Sequence, residues 1–243
     1  VRKIRKRILL LIICSICLTG CGSIRRVKIN ADEITEDTVV FFDNEMFYEY
    51  MYSYPDIGAL AGDSEEIIYG ETTKLRYYMD WFGMCHTKAD IKVLRSFKGD
   101  LKEGKIMKLV KDQGYVSVKD YIDSLYFREE KKDWRRKYKQ YSAEEQKHIY
   151  IQQKEKNDIM LEIGQKSIYF LQKSNYYNTD GTYARLNGPE GEYVEIGGDH
   201  FMQAAAFTDY WNDTEIQKNA HLPGAEDECF TLDEIASQIY MTE

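Results

Sequence analysis

Five cysteines and four histidines are the side chains of this 243-residue chain best suited to nucleophilic or metal chemistry, and their spacing limits what they can do. Cys14, Cys17 and Cys21 cluster near the start, whereas Cys85 and Cys229 stand far apart. Cys85 is followed by His86, which invites a metal reading. Adjacent residues point in different directions, however, and no Cys-x-x-Cys or His-x-x-x-His partner lies near, so neither a metal nor a cofactor is expected. Cys85 and Cys229 are either a disulfide closing a long loop or two buried thiols; sequence separation does not say whether their Cα atoms come within about 6 Å. His148 and His221 are scattered. Asp199-His200, after two glycines, is the best placed for a reactive loop, yet with no nucleophile beside it the pair reads as a turn with a solvated imidazole. There is no Gly-x-Ser-x-Gly, Gly-x-x-x-x-Gly-Lys-Ser/Thr, Gly-x-Gly-x-x-Gly or His-Glu-x-x-His. With 41 acidic residues, chance carboxylate pairs are inevitable and no glycosidase dyad can be nominated.

Aromatic side chains are the remaining lead. They make up 14% of the chain, and many lie beside charge. Tyr77, Tyr78, Trp81 and Phe82 are the candidate ligand-binding residues, because exposed rings stack on sugars or pack against peptides. Asp80 and Gly83 argue for a turn that exposes Trp81. The plainer reading is that tyrosines pave a core and its rim.

The elements that must position these groups begin with an address. Arg2, Lys3, Arg5, Lys6 and Arg7 precede an apolar run over 8–18, broken only by Cys14, Ser15 and Cys17. A charged start, a short apolar core and small residues at the exit describe a secretory signal, too short for a comfortable transmembrane helix. The ending Leu18-Thr19-Gly20-Cys21 resembles the lipobox of bacterial lipoproteins. That resemblance implies that the Cys21 thiol receives a diacylglyceryl group, that cleavage falls just before it, and that the chain is held on the extracytoplasmic face of the cell membrane. The domain limits follow: signal 1–20, lipidated tether 21–38, and one extracytoplasmic domain over 39–243.

Loss of the signal removes five basic residues, so 28 basic stand against 41 acidic and the net charge moves from −8 to −13. Such an acidic chain disfavours nucleic acid, which needs clustered Lys and Arg. Arg25, Arg26 and Lys28 either add about 1 kcal/mol each at an anionic headgroup layer or form a solvated tether.

Residues 39–54 are dense in aromatics without a clean period; a strand followed by a short helix, or two strands, both fit. Residues 55–63 read as a loop. Strands follow over 65–75, with Gly70 marking a bulge, and over 87–97, where Ala89, Ile91 and Val93 alternate with Asp90 and Lys92. Further strand text covers 105–111 and 114–116. Ser117 caps a short helix, 128–139 is a charge run, and the capping box Ser142/Glu145 opens a helix to about Lys154. A central strand returns over 166–173, then a predicted hairpin joins 182–186 to 192–196. Thr231/Glu234 caps a final amphipathic helix expected to dock on the same core.

Three strands, a helical region, then two or three strands is the order of the small Greek-key OB barrel. The stretch Ser96-Phe97-Lys98-Gly99-Asp100-Leu101-Lys102-Glu103-Gly104, with Gly114-Tyr115-Val116-Ser117, resembles lipoproteins of Gram-positive bacteria and, more distantly, OB modules of the netrin or metalloproteinase-inhibitor type. The expected fold is mainly β with helical insertions (α+β): an OB-like barrel over about 65–196, helices between its third and fourth strands, and a helical extension over 197–243. The expected function is a non-catalytic binding module for a wall, peptide or protein ligand. A secreted hydrolase with a site assembled from dispersed residues, or a protease-inhibitor-like interaction protein, are the alternatives. The inhibitor analogy meets one obstacle: that family uses a free N-terminal cysteine, which acylation of Cys21 would block.

Overall fold

The structure, a computed structural model, describes residues 28–30, 34–46, 50, 53–80, 83–156, 158–174, 181–206 and 229–241. Its centre is a closed five-stranded barrel of β3 (Glu66–Met79), β4 (Cys85–Lys98), β5 (Ile106–Lys111), β8 (Lys166–Lys173) and β9 (Thr182–Arg185). The order around the barrel is β3-β4-β5-β9-β8 and back to β3. All contacts are antiparallel except β5–β9, which is parallel. This is the OB-like Greek key, with the helical region inserted between its third and fourth strands.

Closure depends on β3 serving two partners. Its first half pairs with β8 and its whole length with β4. Register shifts at Tyr69/Gly70 and at Thr72/Lys74 bend it across the barrel. Gly70 is required there, since a Cβ would stand 2.6 Å from Ile91 Cγ2. Inside the barrel, Ile68, Leu75, Tyr77, Ala89, Ile91, Val93, Met107, Leu109, Tyr169 and Leu171 are buried as one cluster. That cluster continues into a second sheet of β2 (Val39–Met46), β7 (Tyr150–Glu155) and β6 (Gly114–Ser117), and into α2 (Val118–Ser124). Ser117 caps α2 as its spacing predicts, accepting from Asp120 N. Trp134 of α3 (Arg128–Lys137) packs between Phe41, Tyr121 and Tyr138.

One stretch of the barrel's outer wall is also covered. Ile67, Phe97, Ile168 and Phe170 project outward against α1 (Ile57–Asp63), α4 (Leu232–Tyr240) and the strands β10 (Glu192–Gly197) and β11 (His200–Gln203). With both faces buried, the continuous apolar run Ile168–Leu171 in β8 is the pattern expected of a central strand. The capping box at Thr231/Glu234 opens α4, which docks on this wall beside α1. The remaining pairs are β1 (Lys28–Asn30) on β3 and β12 (Cys229–Thr231) on β11. No described helix is long and apolar enough to cross a membrane.

Three local expectations are corrected. Residues 57–63 form a helix rather than loop: Asp56 caps it through Ala59 N at 2.7 Å, and Ile57, Leu60 and Ala61 make an i, i+3, i+4 face that is fully buried. The capping box at Ser142 and Glu145 forms, at 2.7 and 3.2 Å, but yields a single 3-10 turn over Glu145–Lys147. The chain then enters β7, because Tyr150 and Ile151 gain more from pairing with β2 and β6 than from a solvated helix. Lastly, 182–186 and 192–196 do not pair with each other. Both lie along β8, β9 against Leu171–Lys173 and β10 against Ser167–Tyr169. A 3-10 corner over Gly188–Gly191, with Asn187 at φ 55°, breaks one line into two strands.

Candidate functional site

Among the described residues the outer side of β3, β4 and β5 is uncovered around Lys74, Lys92, Ile106 and Lys108, all exposed, whereas farther along it Val110, opposite Lys88, is buried. Alternation places this side: Ala89, Ile91, Met107 and Leu109 point inward, so their neighbours point out. Facing residues across the three strands form ranks on that side. Arg76 stands opposite Lys88, Lys74 opposite Asp90 and then Lys108, and Glu71 opposite Lys92 and then Ile106. Asp90 is ion-paired with Arg76. Lys74, Lys92 and Lys108 are exposed and make no ion pair among the described residues. Five cations against two carboxylates make this a basic patch on a strongly acidic chain.

At one end of the same side sits His86. Its Nδ1 is 2.8 Å from Asp112 Oδ1 and its Nε2 3.1 Å from Asp80 Oδ2. The Tyr78 ring stacks on it at 5.0 Å and 27°. Asp80 also accepts from Met84 N at 2.9 Å, so its carboxylate closes the β3–β4 turn while holding the ring. Burial disfavours the charged imidazole, but the hydrogen bonds and charges of Asp112 and Asp80 outweigh it and raise its pKa above the ordinary value. A carboxylate on each nitrogen favours the charged form of the ring, which ties two turns together. It has no free nitrogen with which to take a proton from a substrate. Cys85, its neighbour in sequence, points into the barrel core. Cys85 and Cys229 are not joined to each other.

Inside, the barrel and its neighbours bury a second charged group. Lys111 Nζ lies 3.2 Å from Asp158 Oδ1 and 2.9 Å from Glu192 Oε2. Arg185 reaches the same two carboxylates at 2.7 and 2.9 Å. Ser167 Oγ and Ile159 N supply further donors to them, at 3.0 and 2.8 Å. Desolvation alone would raise the Asp158 carboxyl; Arg185 and Lys111 hold it instead well below the usual range. Two cations and two anions with their hydrogen bonds made form a closed, neutral set that binds the strands internally. Nearby, Glu155 is 7% exposed, and burial pushes its pKa up while the Tyr50 hydroxyl donates to it at 2.8 Å.

The aromatic residues singled out by sequence are divided by the strand. Tyr77 is buried in the barrel, edge-to-face with Tyr115 at 5.1 Å. Tyr78 is half-buried on the outer side against His86. Trp81 and Phe82 lie outside the described residues, as does Cys21. Asp199 takes a left-handed turn at φ 64°, and His200 Nδ1 lies 2.8 Å from Gly198 O. Among the described residues no group of three or more His, Cys, Asp or Glu is arranged to hold a metal. The basic ranks were missed in the sequence, although the alternation of Lys88, Asp90 and Lys92 with buried neighbours carried them. Comparison with protein families, with curated proteins and with solved structures gives no significant match.

Proposed function

We propose that this chain is a lipoprotein, anchored through Cys21 on the extracytoplasmic face of the cell membrane, whose barrel is a non-catalytic binding module for a wall, peptide or protein ligand bearing anionic groups. The observation that carries the reading is the uncovered β3–β4–β5 side, with unpaired Lys74, Lys92 and Lys108 around the Arg76–Asp90 pair. Cations kept in ranks on an acidic protein favour anionic ligands and steer them to one place. The strand spacing of about 4.8 Å along each rank suits repeated charges rather than a single ion. The anchor rests on the Leu-x-Gly-Cys ending and its apolar flank.

Poly(glycerol phosphate) is a suitable probe of the basic side. The triple variant Lys74→Ala, Lys92→Ala, Lys108→Ala should lose about tenfold in affinity, or ~1.4 kcal/mol, at low salt. The wild-type affinity should fall as salt rises. Undiminished binding by the variant would overturn the reading. The anchor is tested separately by metabolic labelling with a fatty acid: label should be lost on Cys21→Ala, and label retained there would overturn it.

A further inference from the structure

A second surface lies where β8 and β10 part. Their ladder runs only from Glu192–Tyr169 to Val194–Ser167. Beyond it β10 continues along β11 through a bulge at Glu195–Gly197. The chain leading into β8 turns the other way: Gly164 N donates to Thr72 O and Thr72 N donates to Gln165 O, both at 2.8 Å, so this segment pairs with the kink in β3. The fork encloses a groove of about 450 Å³ whose floor is Ile159, Met160, Val194 and Ile196, with Ile163 60% exposed at its mouth. A volume of this order holds one or two large side chains. Its rim carries Glu162 and Glu195 against one cation, Lys166, which lies 3.8 Å from Glu195. Tyr69 donates to Glu195 at 2.8 Å and fixes that carboxylate in place.

We infer that this fork binds an extended peptide that adds to the open edge of β10 over residues 195–197, places an apolar side chain on the Ile159–Val194 floor and sets a basic side chain beside Glu162 and Glu195. Three features favour a peptide. Among the described residues the strand edge over 195–197 has no ladder partner on the β8 side, and an extended backbone is what pairs with such an edge. The apolar floor lies directly beside that edge, within reach of alternate side chains of an added strand. Among the described lining residues two carboxylates, Glu162 and Glu195, accompany one lysine, which favours a basic flank. The basic side of the barrel is built from other strands, so this site stands independently of the reading above.

The test uses the full chain and a fluorescein-labelled nine-residue peptide of alternating Lys and Val, followed by fluorescence anisotropy. Binding should weaken at least tenfold when alternate peptide amides are N-methylated, since this removes the donors that a strand edge needs. It should weaken at least fivefold in Ile163→Ser and in Glu162→Gln, whose side chains lie at the mouth and rim. Hydrogen exchange over 195–197 should slow when peptide is added. The Lys74/Lys92/Lys108 variant should bind the peptide as the wild type does. Equal binding of the N-methylated peptide would overturn strand addition. Unchanged affinity in Ile163→Ser and Glu162→Gln, or no binding of the peptide at all, would overturn the site.

Discussion

The two outer walls of the barrel are made by the same long strands, yet the described residues cover one and leave much of the other bare. Along the first half of β3, Ile67 projects outward with Phe97, Ile168 and Phe170, and α1, α4 and β10–β11 lie on it. Along the second half, Lys74 and Arg76 project outward with Lys88, Asp90, Lys92 and Lys108, and nothing described lies on them. The change of character falls at the bulges between Tyr69 and Lys74, where the strand also changes partner. A five-stranded barrel needs only its interior to close. Covering the first wall therefore adds stability beyond closure, and the second wall, which closure does not need covered, is the one to which we assign the proposed ligand.

The comparison can be broken first on the covered wall. Phe201→Ala removes a fully buried ring that meets Tyr69 edge-to-face at 5.6 Å, and should cost about 3–5 kcal/mol in chemical denaturation. A loss under 1 kcal/mol would mean that α1 and α4 are only loosely laid on the barrel. Arg185→Met should cost as much, about 3–5 kcal/mol, by leaving Asp158 and Glu192 with Lys111 as their only remaining cation. That variant strikes the interior which both walls share, so it should destabilise without altering ligand selectivity.

On the bare wall the expected effects shrink. His86→Ala should cost about 1–3 kcal/mol below neutral pH, because two carboxylates lose a charged donor. The imidazole pKa is raised in the folded state, so its contribution is complete below the ordinary histidine range and is lost as pH rises through the folded value. Wild-type stability measured against pH should show this decline and His86→Ala should lack it; identical pH profiles would remove His86 as the tie between the two turns. Arg76→Ala, which breaks a partly exposed pair with Asp90, should cost under about 1 kcal/mol. Lys92→Ala and Lys108→Ala should stay within about 0.5 kcal/mol of wild type in thermal melts. A large loss at either lysine would show that the bare wall carries stability after all.

Much of this division was legible in advance. The alternation in 87–97 identified a half-buried strand, and its polar set is the outer rank seen here. The unbroken apolar run at 168–171 identified a strand buried on both faces. Gly70 announced its bulge, and Ser117 and Thr231 their helix starts. Local signals failed where distant partners competed. The Ser142/Glu145 box formed, yet β2, about a hundred residues earlier, drew Tyr150 and Ile151 into a sheet. The segment 55–63 carried turn formers, but the apolar wall offered by Phe170 and Phe201 rewarded a helix with Ile57, Leu60 and Ala61 on one face.

By itself the sequence determined the places and order of the five barrel strands, because the period of two and the turn residues are written locally. The Greek-key reading followed from that order. Which side of each strand faces inward around Tyr77 and Tyr78, and which wall is covered, was decided only by tertiary structure. So was the meeting of Asp80 and Asp112 at His86, and of Lys111, Asp158, Arg185 and Glu192 in the interior. These groups come from different strands and turns. Charge attracts through space and burial strengthens it, and neither leaves a spacing that can be read along the chain.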